Sequence, residues 1–204
     1  MVSWLRSPVC ARASNLNEHS RPSRLHRSVE AIAVTSEYNC VPLSEDHRLE
    51  YLNCGQEHLD RWLPNHALDD QNLGKSATHV WADSEDIVLG YFTLLQTTIR
   101  ETDESLFRRF RPAGFPRDQE LPGVLLGKFA LDESLQGRDY GFDLLSDAYI
   151  NAFEAVRLIG GTVMVVEPIH DKVAAIYQEF GFKSVEGSNR MVLNFREFNR
   201  GTPI

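Results

Sequence analysis

The chain has few cysteines and no long apolar run, and after its first thirty residues acidic side chains outnumber basic ones. Its three cysteines, Cys10, Cys40 and Cys54, stand at no spacing typical of a disulfide framework or a zinc site, so we expect reduced thiols and no bound metal. No apolar run reaches the roughly eighteen residues that a membrane-spanning helix needs. These absences favour a cytoplasmic protein with no membrane partner.

Charge is distributed unevenly along the chain. The formal net charge is −8, yet residues 1 to 30 carry five arginines against two glutamates. Because non-specific binding to a phosphate backbone depends on Lys and Arg displacing counterions, the acidic remainder argues against broad nucleic-acid binding. Residues 1 to 34 show no sustained periodicity and are predicted to be a disordered basic extension, with a transit-like peptide or a misassigned start codon as alternatives.

The remaining length suits one compact domain. With 204 residues, of which 42% are hydrophobic, the chain can bury a sizeable core. We predict one domain of the α/β (α+β) class over residues 35 to 198, with a first strand at Ala31 to Val34 leading into it. Residues 199 to 204 are predicted to be a tail.

The most informative stretch runs from Gly123 to Leu145. An apolar run is followed by a turn with two glycines at Gln136 to Phe142 and then by helical periodicity, which indicates strand, loop and helix. The first amides of a helix have no partner within it and lie at the positive end of its dipole, so this turn suits a phosphate. The alternative is a turn that merely changes the direction of the chain.

This stretch resembles the GNAT acetyltransferase superfamily, whose acetyl-CoA signature is Q/R-x-x-G-x-G/A after a central strand. Gln136 and Gly141 fill its first and last positions, and Asp139 replaces its middle glycine. Asp tolerates positive φ better than most residues, so the turn can persist. A carboxylate beside a pyrophosphate is electrostatically unfavourable, and we expect Asp139 to weaken cofactor binding.

A second segment is similar to the first helix of the GNAT toxins of bacterial type II toxin-antitoxin systems. The similarity is carried by Cys54, Gly55, Leu59, Asp60, Trp62 and Leu63. Leu59, Trp62, Leu63 and Ala67 fall at helical spacing and predict a face packed on the sheet. Pro64 departs from the pattern, and we expect the helix to kink or restart there.

A third segment resembles the family's helix that carries a catalytic tyrosine. The matching residues are Ala174, Ile176, Tyr177, Gly181 and Phe182. The resemblance implies that Tyr177 protonates the departing CoA thiolate, whereas the alternative is a buried tyrosine bonded to a backbone carbonyl. We predict that Asp171 caps this helix, and that His170 is either a cofactor contact or a cap or surface histidine.

The resemblance covers about residues 42 to 195 and implies the GNAT fold, a mixed twisted sheet splayed at the acetyl-CoA site with helices on both faces. It implies acetyl-CoA as cosubstrate, without a metal, and transfer of the acetyl group to a primary amine. The implied cofactor-binding residues are Phe129, Ala130, Leu131, Gln136, Gly137, Arg138, Asp139, Tyr140, Gly141, Phe142 and His170.

The connection from Ile99 to Pro122 holds the predicted acceptor residues, which are Arg108, Arg109 and Arg117. Arginine forks bind phosphates, and the interleaved Phe107, Phe110 and Phe115 could stack on bases. The alternative is a solvated loop with its phenylalanines tucked underneath.

Three functions follow from these observations. The first is a toxin that acetylates the α-amine of aminoacyl-tRNA and is restrained by a ribbon-helix-helix antitoxin. The second is an N-acetyltransferase for a small-molecule or protein amine, whose positive charge the acidic surface would attract. The third is a non-enzymatic binding module whose pyrophosphate loop is disabled by Asp139. A homodimer is a further expectation.

Overall fold

The computed structural model describes residues 38–100, 110–185 and 187–198. Its strands are β1 (Asn39–Pro42), β2 (Ala77–Ala82), β3 (Val88–Ile99), β4 (Leu121–Leu131), β5 (Val163–Val166), β6 (Lys183–Ser184) and β7 (Met191–Asn194). Its helices are α1 (Glu57–Asn72), α2 (Tyr140–Ile159), α3 (Asp171–Phe180) and α4 (Phe195–Phe198). The predicted basic extension, the strand expected at Ala31 to Val34 and the tail lie outside the described residues.

The strands form one mixed sheet. Their order is β1-β2-β3-β4-β5-β7-β6, and every neighbouring pair is antiparallel except β4 and β5. The parallel pair is joined by a crossover through α2, as the strand, turn and helix pattern predicted. No helix within the described ranges is long and apolar enough to cross a membrane.

Helices cover both faces of this sheet, as predicted. On one face, Leu59, Leu63 and Ala67 of α1 are buried in a cluster with residues of β2, β3 and β4. On the other face, α2 and α3 pack over the central strands in the largest apolar cluster, which includes Leu144 and Phe180. We call these the α1 face and the α3 face.

α1 does not restart at Pro64, contrary to one of the two predicted alternatives. The helix continues from Glu57 to Asn72 with Pro64 inside it. A proline in a helix interior costs about 3 kcal/mol. The buried side chains of Leu59, Leu63 and Ala67 lie on both sides of Pro64, and their packing on the sheet holds the helix together.

Two other local predictions are corrected. His170, and not Asp171, is the N-cap of α3, and its side chain accepts a hydrogen bond from the Val173 amide. Phe110 is 1% exposed in a cluster with β4, β5 and β7, so it belongs to the core and cannot stack on a base. Phe115 packs against the same cluster. Both phenylalanine rings thus pack beneath the loop, as the alternative to base stacking predicted.

Candidate active site

Strand β4 opens away from β5 halfway along its length. On its β3 side it is paired from Leu121 to Leu131, but on its β5 side the pairing runs only from Gly123 to Leu126. The last five residues of the strand, from Gly127 to Leu131, therefore have an unpaired edge. This open edge is the predicted splay, and at about 3.3 Å per residue it is about 16 Å long.

A β-bulge marks the start of the open edge. Gly127 and Lys128 together stand opposite Thr93, because Phe92 pairs with Phe129 and Leu94 with Leu126. The Lys128 amide donates to the buried Thr93 hydroxyl over 2.8 Å, which satisfies the donor that the bulge displaces. The threonine thus stabilises the bend at the point where the two strands separate.

The peptide groups of Phe129 face the opening. The amides of Lys128 and Asp132 both donate towards β3, to Thr93 and to the Leu89 carbonyl. Because peptide groups alternate between the two edges of a strand, those of Ala130 also face β3, whereas those of Phe129 and Leu131 face the open edge. Ala130, predicted to bind the cofactor with its backbone, is therefore turned towards β3.

Gln136 joins the end of the open edge to the segment that precedes α1. Its Nε2 donates to the Leu131 carbonyl at 2.8 Å and to the Cys54 carbonyl at 3.0 Å. These two bonds use both hydrogens of the amide nitrogen. Gln136 thereby fixes the position of the turn that follows it.

Further bonds connect the same two segments. The Asn53 amide donates to the Asp132 carboxylate at 3.0 Å, and the Glu133 amide donates to the Asn53 carbonyl at 2.9 Å. Gly55 has a φ of +77°, and a Cβ there would lie 2.7 Å from the Glu133 carboxylate. These contacts join the segment that contains Cys54 and Gly55 to the start of the glycine turn and support the turn.

The turn from Gln136 to Phe142 presents an open backbone surface at the start of α2. The Phe142 amide donates to the Asp139 carbonyl at 2.9 Å. A Cβ built at Gly137 or Gly141 would meet no atom within 4 Å. The backbone is therefore uncovered on the side where an anion can approach the first amides of the helix.

Charged side chains of both signs stand on this turn. Arg138 and Asp139 are exposed, and Asp139 adopts the left-handed conformation with φ 66° and ψ −6°. The predicted positive φ is thus present, and no side-chain hydrogen bond caps α2. The side chains of Tyr140 and Phe142 pack inward, Tyr140 on Tyr38 and Phe142 on Phe180.

Tyr177 lies beside the open edge on the α3 face. Its ring centroid is 6.2 Å from that of Phe129 and 5.5 Å from that of Phe182. Burial raises the pKa of its phenol, which therefore stays protonated at neutral pH. Within the described ranges its hydroxyl has no hydrogen-bond partner, so the alternative of a bond to a backbone carbonyl is not present.

The other predicted site residues lie at the start of α3 and on the connection before β4. His170 is the N-cap of α3, and its Nδ1 accepts a hydrogen bond from the Val173 amide at 3.4 Å. Arg117 is exposed on the connection that returns to the sheet at Leu121, the end of β4 far from the glycine turn. Arg108 and Arg109 lie outside the described residues.

Lys128 is a site residue that the sequence analysis missed. Its Nζ lies 4.3 Å from the centroid of the Trp62 ring on α1. The available signal was a lysine within the otherwise apolar end of β4, in the stretch Gly127 to Leu131. Among the residues that the structure describes, no group of three or more His, Cys, Asp or Glu side chains could hold a metal ion.

Comparisons with known proteins agree with this architecture. No family model matches the chain. In sequence it is similar to a tRNA-acetylating toxin of Mycobacterium tuberculosis, with 28% identity over 142 residues that span 69% of this chain and 81% of the relative.

Solved structures show the same likeness. One is AtaT complexed with acetyl-methionyl-tRNAfMet, with a TM-score of 0.70, 24% identity, and coverage of 79% of this chain and 96% of that chain. Another is a tyrosine-to-phenylalanine variant of AtaT bound to the C-terminus of the antitoxin AtaR and acetyl-CoA, with a TM-score of 0.65 and 23% identity. It covers 81% of this chain and 98% of its own. The resemblance predicted from the sequence is confirmed.

Proposed function

Because the chain has the GNAT fold and is similar to acetyltransferase toxins, we propose that it transfers an acetyl group from acetyl-CoA to the α-amine of an aminoacyl-tRNA. The observation that carries the proposal is Tyr177, a protonated phenol placed beside the open edge of β4. The names of its relatives supply the acceptor, since one is a tRNA-acetylating toxin and AtaT was solved with acetyl-methionyl-tRNAfMet.

The residues present fit acetyl-CoA. The uncovered amides around Gly137 and Gly141, together with Arg138, suit its pyrophosphate. The open edge begins beside this turn, and the peptide groups of Phe129 can pair with the pantetheine arm as a further strand would. In this proposal Gln136 acts by positioning the turn, because both hydrogens of its amide nitrogen are bonded to carbonyls.

The bound acetyl-CoA supplies an activated acetyl group as a thioester. In this proposal the Phe129 amide would polarise the thioester carbonyl while the amine nitrogen bonds to its carbon, and Tyr177 would protonate the sulfur as the C–S bond breaks. The proton that the amine loses would return to Tyr177 through solvent. We assign no side chain as general base. Holding the amine against the open edge supplies most of the rate acceleration, since orientation alone can contribute about 7–11 kcal/mol.

In this proposal the tRNA also contacts the connection that precedes β4. The connection with Arg117 returns to the sheet at Leu121, and Arg108 and Arg109 belong to the same connection in sequence. We propose that these arginines contact phosphates of the tRNA.

Partners and location follow from the same relatives. AtaT was solved with the antitoxin AtaR, and we propose a ribbon-helix-helix antitoxin as partner of this chain. Its proposed location is the cytoplasm, where charged tRNA is found. A homodimer remains part of the proposal.

The Tyr177→Phe variant tests the catalytic assignment. The phenylalanine keeps the ring contacts with Phe129 and Phe182 and removes only the proton donor. We expect transfer of labelled acetyl to charged tRNA to fall about tenfold or more, with acetyl-CoA affinity within about threefold of wild type by calorimetry.

One control and three possible results distinguish the proposed function from its alternatives. Deacylated tRNA should accept no acetyl group, because it lacks the α-amine. Transfer to small amines or proteins but not to charged tRNA would overturn the acceptor assignment. Equal rates for wild type and Tyr177→Phe would remove Tyr177 from the mechanism, and absence of acetyl-CoA binding by the folded protein would favour the non-enzymatic module.

A further inference from the structure

Lys128 is held in place by an aromatic stack on the α1 face. Its Nζ lies 4.3 Å from the Trp62 ring centroid, and Trp62 stacks on Tyr91 with centroids 5.8 Å apart and planes 21° apart. Tyr91 is fully buried, and its hydroxyl donates to the Leu59 carbonyl at 3.1 Å. The stack therefore anchors the lysine to the core through α1.

The lysine and Tyr177 flank the open edge from opposite faces of the sheet. Phe129 contacts Tyr177 on the α3 face, and side chains alternate along a strand, so its neighbour Lys128 points to the α1 face, where Trp62 lies. The proton donor for the departing sulfur is on the α3 face. An amine that approaches from the α1 face therefore passes Lys128.

Lys128 and Lys75 share the charge of one carboxylate, that of Asp70. Asp70 is paired with Lys75 at 2.8 Å; this hydrogen bond lowers the pKa of Asp70, and the charge of Lys128 contributes to the same shift. No described carboxylate oxygen lies within 4.0 Å of the Lys128 ammonium group, and the two lysines with Asp70 keep a net positive charge. An aromatic ring orients a cation without cancelling its charge. In a chain with a net charge of −8, Lys128 is therefore a cation beside the open edge of β4 that can bind an anion.

We propose that Lys128 binds a phosphate of the nucleic-acid acceptor and so selects an acceptor whose amine lies close to a phosphodiester. This inference rests on the proposed function and names a further specificity-determining residue for it. The α-amine of an aminoacyl-tRNA lies one nucleoside away from a phosphodiester, which meets this requirement. A polyamine or a lysine side chain brings only positive charge, which Lys128 repels.

The test uses two variants of Lys128 and a control variant in the full chain. Lys128→Met keeps an unbranched side chain on the Trp62 ring without the charge, and Lys128→Arg keeps both the charge and the stacking. Lys183→Met is the control, because it removes one exposed lysine from β6, the edge strand at the end of the sheet opposite β1. Acetyl transfer is measured with charged tRNA and with a small amine at several salt concentrations.

We expect Lys128→Met to raise KM for charged tRNA about tenfold, to leave kcat within about twofold, and to lower the salt slope by about one. Lys128→Arg and Lys183→Met should stay within about threefold of wild type. An unchanged KM and salt slope in Lys128→Met would overturn the inference. Equal losses for tRNA and the small amine would also overturn it, by showing that the lysine maintains the shape of the cleft. A wild-type protein inactive on charged tRNA would instead overturn the proposed function itself.

Discussion

Asp139 offers the sharpest test of the glycine turn as a pyrophosphate site. The residue is exposed within the turn and adopts a left-handed conformation with φ 66°. Replacement by Asn removes the charge but keeps a residue that tolerates this conformation, whereas replacement by Gly removes both the charge and the conformational strain. Comparison of the two variants therefore separates electrostatics from backbone strain.

The expected gain in affinity can be estimated from Coulomb's law. Two unit charges about 5 Å apart in a fully hydrated site repel each other by about 1 kcal/mol. Removal of the Asp139 carboxylate should therefore lower the Kd for acetyl-CoA about fivefold. Because the site is open to solvent, this gain should shrink as salt is raised towards about 1 M, where the screening length is about 3 Å.

Calorimetric titration of acetyl-CoA into Asp139→Asn and Asp139→Gly measures this directly. Asp118→Asn is the control, because it changes the net charge equally on the connection at the far end of β4. Tighter binding in both Asp139 variants but not in the control is the expected result. An unchanged Kd at low salt in Asp139→Asn would show that the carboxylate points away from the anion, and a gain in Asp139→Gly alone would assign the effect to strain.

Two further predictions concern the fold beneath the site. Gly141→Gln should keep or raise thermal stability, because its Cβ meets no atom within 4 Å, yet it should weaken acetyl-CoA binding about tenfold by filling the anion surface, whereas Gly141→Ala, which the family signature allows, should bind within about threefold of wild type; unaltered binding in Gly141→Gln would place the phosphate elsewhere. The Asp147 carboxylate accepts from the Trp81 indole at 2.7 Å, and burial raises its pKa to about 6 against the opposing effect of that bond. Since the folded state then holds a proton that the unfolded state has lost, stability should fall as pH rises from about 4 to 6. Asp147→Asn keeps an acceptor for Trp81 and should be about 1–3 kcal/mol more stable than wild type in urea unfolding at pH 7 but not at pH 4; the same difference at both pH values would contradict the assignment.

Local features of the chain were predicted well from its sequence. The apolar run before the glycine turn is β4, the helical periodicity after it is α2, and Gly160 ends that helix with a φ of 84°. The positive φ of Asp139 was also predicted. These features depend on periodicity and on the conformational preferences of single residues, which a sequence displays directly.

The wrong predictions concern residues whose conformation depends on packing against distant parts of the chain, or on which of two neighbouring polar groups forms a hydrogen bond. Pro64 lies inside a continuous α1 because buried residues on both sides of it pack on the sheet. His170 caps α3 instead of Asp171, since adjacent polar residues can both cap a helix and the sequence does not rank them. Phe110 was expected at a base-stacking surface but is buried in the core.

The sequence by itself indicated the strand, glycine turn and helix from Gly123 to Leu145 and singled out Tyr177 as the candidate proton donor, because each rests on a local pattern. Only the tertiary structure decided that β5 pairs with β4 no further than Leu126, which opens the edge beside Phe129. It also decided that Lys128 lies on Trp62. Strand register and contacts between residues far apart in the chain depend on how whole faces pack together, and no local pattern of side chains specifies them.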